Sequence, residues 1–140
     1  MSQWTHVCGL IRIDSMWDVR KSLIDSFGKT YKYADSIEAW EACTVPTGSE
    51  GSVQYDIVNT RDEKKFALSG GSITFGYVAI HGDLRDYDDA NEIYEWIKNA
   101  CGNEETAGWW VRSCCVRVEI EYGKSFIIYD ENDEIFMKEL

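Results

Sequence analysis

The chain has 140 residues, a hydrophobic share of 44% and a formal net charge of −11. That length suits a single domain over 1–140 with a core of its own, and the apolar content, with six tryptophans, excludes an intrinsically disordered chain. Fifteen of the 25 acidic residues but only six of the 14 Lys and Arg fall from Asp83 onward, so that stretch holds nine of the eleven net negative charges; such a field repels nucleic acid and anionic membrane and attracts basic surfaces.

Val7 to Ile13 reads as a first strand, apolar on both faces and therefore central in a sheet. Ser15 with Asp18 forms a capping box, and Met16, Val19, Leu23, Ile24 and Phe27 keep helical spacing up to Gly28, which is placed to end the helix. Asp35 to Cys43 is expected as a short helix with Ile37 and Trp40 inward. Thr44 to Gly51, which holds the only proline, Pro46, reads as a loop. Ser52 to Asn59 alternates as a second strand with Val53, Tyr55 and Ile57 on one face, and Arg61 to Lys65 is a charged connection. Ser72 to His81 is a third strand, with Ile73, Phe75, Tyr77 and Ala79 on one face and Val78 and Ile80 on the other.

Asp89 with Glu92 forms a second capping box, opening a helix through Cys101 that buries Ala90, Ile93, Trp96, Ile97 and Ala100 and stops at Gly102. Along the fourth strand, Trp110 to Tyr122, the even positions are mostly apolar, whereas Arg117, Glu119 and Glu121 occupy odd ones, so one face of the sheet meets water. Tyr122-Gly123-Lys124 turns into a short fifth strand, Ser125 to Tyr129, and an acidic tail follows. The order β-α-β-β-α-β-β predicts an α+β fold of ferredoxin-like, split βαβ type: an antiparallel sheet with two helices on one face and an extra C-terminal strand.

No apolar run approaches the ~18 residues of a membrane span, and the start Met-Ser-Gln-Trp-Thr-His lacks the basic and apolar regions of a secretory signal. The expectation is a soluble, cytoplasmic protein. Cys8, Cys43, Cys101, Cys114 and Cys115 are odd in number and irregular in spacing, which is no disulfide framework. With two histidines and no Cys-x-x-Cys pair, no zinc site is expected. Asp86-Tyr87-Asp88-Asp89 offers hard oxygen ligands but lacks the spacing and glycine of a calcium loop. No metal or cofactor is expected.

Asp83, Asp86, Asp88, Asp89, Glu92 and Glu95 place six carboxylates within thirteen positions, more than helix capping requires. They are expected to act as a phosphate-like array against Lys and Arg of a partner. Of Trp109 and Trp110, adjacent on a strand, only one can enter the core. Trp109, on the parity of Glu119 and Glu121, is expected in an exposed strip as an interface anchor. His6 and His81 are expected at one sheet end near Asp83, the raw material for acid–base cleavage of RNA.

Two resemblances follow from these residues. Phe75-Gly76-Tyr77-Val78-Ala79-Ile80 resembles the second half of the RNP1 signature of RNA-recognition motifs, and Asp88-Asp89-Ala90 is similar to the start of the following helix in that family. The resemblance implies base stacking on exposed rings, although Ile73-Thr74 replaces the Lys/Arg-Gly opening and Cys8 to Ile13 carries no aromatic residue. In size, charge and aromatic richness the chain looks like the small acidic proteins that phages encode against host defence, such as anti-CRISPR inhibitors. That resemblance implies a non-enzymatic inhibitor bound to the basic DNA-binding surface of a nuclease effector, without direct contact to nucleic acid, in the bacterial cytoplasm. It leaves room for a homo-oligomer. An RNA-recognition-like module and a small His-dependent ribonuclease are the alternatives.

Overall fold

The computed structural model describes residues 2–15, 20–59, 74–102 and 108–140. Within them lie, in chain order, β1 (Trp4–Ser15), α1 (Arg20–Phe27), α2 (Ile37–Ala42), β2 (Thr47–Gly48), β3 (Gly51–Ser52), β4 (Gln54–Asn59), β5 (Thr74–Arg85), α3 (Ala90–Cys101), β6 (Trp109–Ile120), β7 (Ser125–Glu131) and β8 (Glu134–Glu139). Six strands form one antiparallel sheet in the order β4-β5-β1-β6-β7-β8, and β2 pairs with β3 in a small hairpin. The fold is α+β. Asp18, Met16, Val19, Ile73, the Arg61–Lys65 connection and the side chain of Phe75 lie outside the described residues.

Strand alternation builds the core. Val7, Ile11 and Ile13 of β1, Val78, Ile80 and Leu84 of β5, and Cys114, Val116, Val118 and Ile120 of β6 share one sheet face, buried against Leu23 and Phe27 of α1 and Ala90, Ile93, Ile97 and Ala100 of α3. Burying a branched aliphatic side chain contributes about 1.5–3 kcal/mol, so this layer is the main source of stability. Gly9 occurs where β1 approaches β6 closely: a Cβ there would collide with the backbone of Cys115 and Val116.

The end of α1 is anchored by side chains from elsewhere. Tyr55 donates its hydroxyl to the Gly28 carbonyl at 2.6 Å and Trp96 donates Nε1–H to the Phe27 carbonyl at 2.7 Å. These carbonyls have no partner within the helix. The rings of Phe27, Tyr55 and Trp96 cluster with centroids 5.6, 5.7 and 6.4 Å apart. Gly28 adopts φ 95° as the helix terminator that the sequence predicts.

Several expectations need correction. Ile37 and Trp40 are 73% and 57% exposed, and α2 buries nothing. Its Ser36 cap holds the helix, while Val45 and Val53 of the segment that follows enter the interior instead. Ile24 is exposed as well. The acidic tail is a strand: Asn132 and Asp133 take φ 51° and 63°, the paired positive values of a tight hairpin turn, and β8 pairs along β7 from Glu131–Glu134 to Phe126–Glu139. Ser15 closes β1 rather than capping α1, and Thr47–Gly48 pairs with Gly51–Ser52 inside the stretch read as a loop; Trp109 and Tyr122 are treated with the site. No described helix is long and apolar enough to cross a membrane.

Candidate interaction face

β1 starts, β5 ends, β6 ends and α3 begins at the same end of the sheet, as the pairings Trp4–Arg85 and Thr5–Ile120 require. The topology therefore converts a bias along the sequence into a bias in space. Asp83, Glu119 and Glu121 lie at this end on or beside the sheet face opposite the helices. Asp86, Asp88 and Asp89 form the turn beyond β5, and Glu92 and Glu95 project from the first turns of α3. The predicted carboxylates thus share one pole but span three levels: open sheet face, turn and helix flank.

Several of these acids have structural duties. Asp89 is the N-cap of α3 and accepts from the Glu92 N–H at 3.0 Å. Glu92 accepts from the Tyr87 hydroxyl at 2.8 Å; burial, and then this carboxylate, push the phenol well above its ordinary range. Asp86, at φ 55°, accepts from Ser49 Oγ at 2.9 Å. Arg85 points its guanidinium at Glu50, 2.5 Å away, so it neutralises the hairpin more than the array. Exposed pairs of this kind each contribute at most about 1 kcal/mol.

His6 is clamped. Its Nδ1 lies 2.5 Å from Asp83 Oδ1 and its Nε2 lies 3.2 Å from Glu121 Oε2. Ionised carboxylates only accept, so both ring nitrogens must donate and the imidazolium is the form that fits. The hydrogen bond to Asp83 raises the His6 pKa first, and the one to Glu121 second. His81 sits diagonally across the same face, opposite Cys8, with Nε2 2.9 Å from Asp56. The two histidines do share a region, but His6 is held by Asp83 and Glu121 and His81 by Asp56. His6 as placed has no lone pair with which to accept a proton from a substrate.

Trp109 is 1% exposed and belongs to the core. A bulge reverses the expected parity: Arg12 pairs with Ser113 and Ile13 with Val111, leaving Arg112 as the extra residue on β6. An inserted residue swaps the faces of everything beyond it. Trp109 therefore turns inward beside Ser15, while Trp110, opposite Asp14, belongs to the open face. Tyr122, expected inward, is exposed in the turn at φ 60°.

The open face also carries features that the sequence analysis missed. Across its middle, register aligns Ala79, Leu10, Cys115, Tyr129 and Phe136. Leu10 is 50% exposed and Val58, on β4 opposite Tyr77, is 47% exposed. At the end away from the acids, Arg12 and Arg112 approach the buried Asp14 at 3.6 and 3.2 Å. Two guanidiniums share one carboxylate, and the exposed pair Glu131 and Glu134 of β7 and β8 lies at this same end. Cys8 and Cys115 are exposed on the face, whereas Cys114 points inward, its thiol pushed up to about 12 by burial and by nearby Asp130. Among the described residues no cluster of His, Cys, Asp and Glu could hold a metal ion. Comparison with known proteins finds no matching family model, no similar curated protein and no similar solved structure.

Proposed function

We propose that this protein is a non-enzymatic inhibitor that occupies a basic, nucleic-acid-binding surface of another protein, offering carboxylates where phosphates would sit. The observation that carries this reading is the acidic pole, in which Asp83, Asp86, Asp88, Asp89, Glu92, Glu95, Glu119 and Glu121 converge from four elements on one end of the molecule. Trp109 leaves the set because it is buried. The strand order β4-β5-β1-β6 supports a split βαβ frame for the first six major elements, extended by β7 and β8. The partner class is a nuclease effector of a bacterial defence system, in the manner of phage anti-CRISPR proteins, and the working compartment is then the bacterial cytoplasm.

The test is capture of a nuclease effector, and displacement of its DNA, by the full chain at about 0.05 M and 0.5 M salt, between which screening shortens from over ~10 Å to a few ångströms. Binding is expected to weaken at least tenfold across that range, and the triple substitution Asp86→Lys, Asp88→Lys, Glu95→Lys is expected to weaken it as much at low salt. Undiminished binding in both arms would overturn the proposal.

A second reading, an RNA-recognition-like module, is favoured by one observation: Tyr77 lies on the open face opposite Arg12 and Val58. Stacking on this ring predicts that Tyr77→Ala lowers single-stranded RNA affinity by ~1–3 kcal/mol, measured by anisotropy. RNA affinity unchanged in that variant would discard this alternative.

A further inference from the structure

On the open sheet face, register lines up His81 of β5, Cys8 of β1 and Arg117 of β6 in one row across neighbouring strands. All three residues are exposed. His81 differs from His6 in what its ring nitrogens do. Its Nε2 lies 2.9 Å from Asp56 Oδ2, so Nε2 carries the proton that the carboxylate accepts. Among the described residues nothing bonds Nδ1, which leaves that nitrogen a lone pair in the neutral ring. Directly opposed residues of an antiparallel pair have Cβ atoms ~4.5–5.5 Å apart. The Cys8 thiol is one bond beyond its Cβ and Nδ1 is two bonds beyond that of His81, so rotation of the exposed thiol about χ1 brings them into hydrogen-bond reach. Nucleophile, base and a carboxylate that orients the base thus follow one another across β1, β5 and β4.

We infer that Cys8 is a site of thiol–disulfide exchange, with His81 as its base, Asp56 as the residue that positions His81, and a carboxylate-bearing low-molecular-weight disulfide as its substrate. The thiol proton passes to His81 Nδ1 and the thiolate attacks one sulfur of the disulfide. The bond to Cys8 Sγ forms as the S–S bond of the substrate breaks, and the departing thiolate takes the proton back from His81. The products are a mixed disulfide on Cys8 and one small free thiol, with no outside oxidant. Acyl transfer by the same three side chains would also need N–H donors aimed at an oxyanion. β1 and β5 each lie between two paired strands, so their backbone N–H groups are committed to the ladders. Substitution at sulfur needs only a thiolate and access. Arg117, whose guanidinium stands 3.7 Å from Glu119, lies on the other side of Cys8 and supplies the cation for a substrate carboxylate. Asp83 and Glu119 belong to the next row, where they flank His6. Cys115 is the internal comparison: it is exposed on the same face, but its register neighbours are Leu10 and Tyr129, neither of which is a base. Cys8, His81, Asp56 and Arg117 lie outside the acidic set assigned to a basic partner, so the inference stands or falls separately from the inhibitor reading.

The experiment incubates the full chain with about 1 mM oxidised glutathione near neutral pH and follows each cysteine over time by peptide mass spectrometry. Cys8 is expected to form the mixed disulfide about tenfold faster than Cys115. His81→Ala is expected to slow Cys8 by about tenfold and Asp56→Ala by a smaller factor. Both substitutions alter exposed side chains, so neither should change the Cys115 rate or the circular dichroism spectrum. Arg117→Ala is expected to slow exchange with oxidised glutathione but not with the uncharged hydroxyethyl disulfide. A Cys8 no faster than Cys115, or a Cys8 rate unmoved by His81→Ala, would overturn the site. A rate unmoved by Asp56→Ala would remove the positioning role, and Arg117→Ala acting alike on both disulfides would overturn the carboxylate-bearing substrate.

Discussion

His6 shows how one side chain can report on the acidic pole. Its pKa is raised by the hydrogen bond to Asp83 and then by the one to Glu121, so its imidazolium stabilises the fold below the ordinary histidine value of ~6.5. That contribution is lost as pH rises through the higher folded-state pKa. Nuclear magnetic resonance titration is expected to place His6 above 6.5, and Asp83→Asn to move it back down. The stability difference between wild type and Asp83→Asn in urea unfolding is expected to shrink from pH 6 to pH 9. An unshifted His6 in wild type would contradict the clamp. The residue scale was only partly legible beforehand. The proximity of His6, His81 and Asp83 followed from topology, but the role of Glu121 as second clamp depends on how the chain leaves β6.

At the scale of elements, α3 carries acids with two different jobs, and substitution separates them. Asp89 caps the helix through the Glu92 N–H, and loss of such a cap costs about 1 kcal/mol. Asp89→Ala is expected to lower stability by about that amount, whereas Asp89→Ser, which removes the charge but keeps an accepting oxygen, should stay within a few tenths; chemical denaturation distinguishes them. Equal losses would assign the effect to charge near the helix dipole. The Asp89 cap, the Gly28 stop and the β6 alternation beyond Ser113 are local patterns, so the sequence carried them. The β6 bulge was not local: Arg112 is displaced because β1 imposes its register. That single offset decided which of two adjacent tryptophans faces inward. β8 was missed because its acidic composition outweighed Asn132-Asp133, the turn signal that could have revealed it.

At the scale of the molecule, eight carboxylates at one pole repel one another across distances that a salt solution screens. Thermal unfolding is expected to shift upward by a few degrees between about 0.05 M and 0.5 M sodium chloride, read by circular dichroism. A downward shift would mean that the internal pairs, such as His6–Asp83 and Arg85–Glu50, outweigh the repulsion. The same segregation of charge leaves the outer acids available to a basic partner.

Composition and periodicity by themselves determined an α+β chain, its main strands and helices, its turn glycines and the acidic bias of its C-terminal portion, because each of these depends on neighbours within a few residues. The tertiary structure alone decided that strand ends gather those acids at one pole, that a bulge buries Trp109 and that an apolar row crosses the uncovered face. Such features arise from pairings between residues as far apart as Leu10 and Cys115, and a register set across strands leaves no mark on the spacing within any one of them.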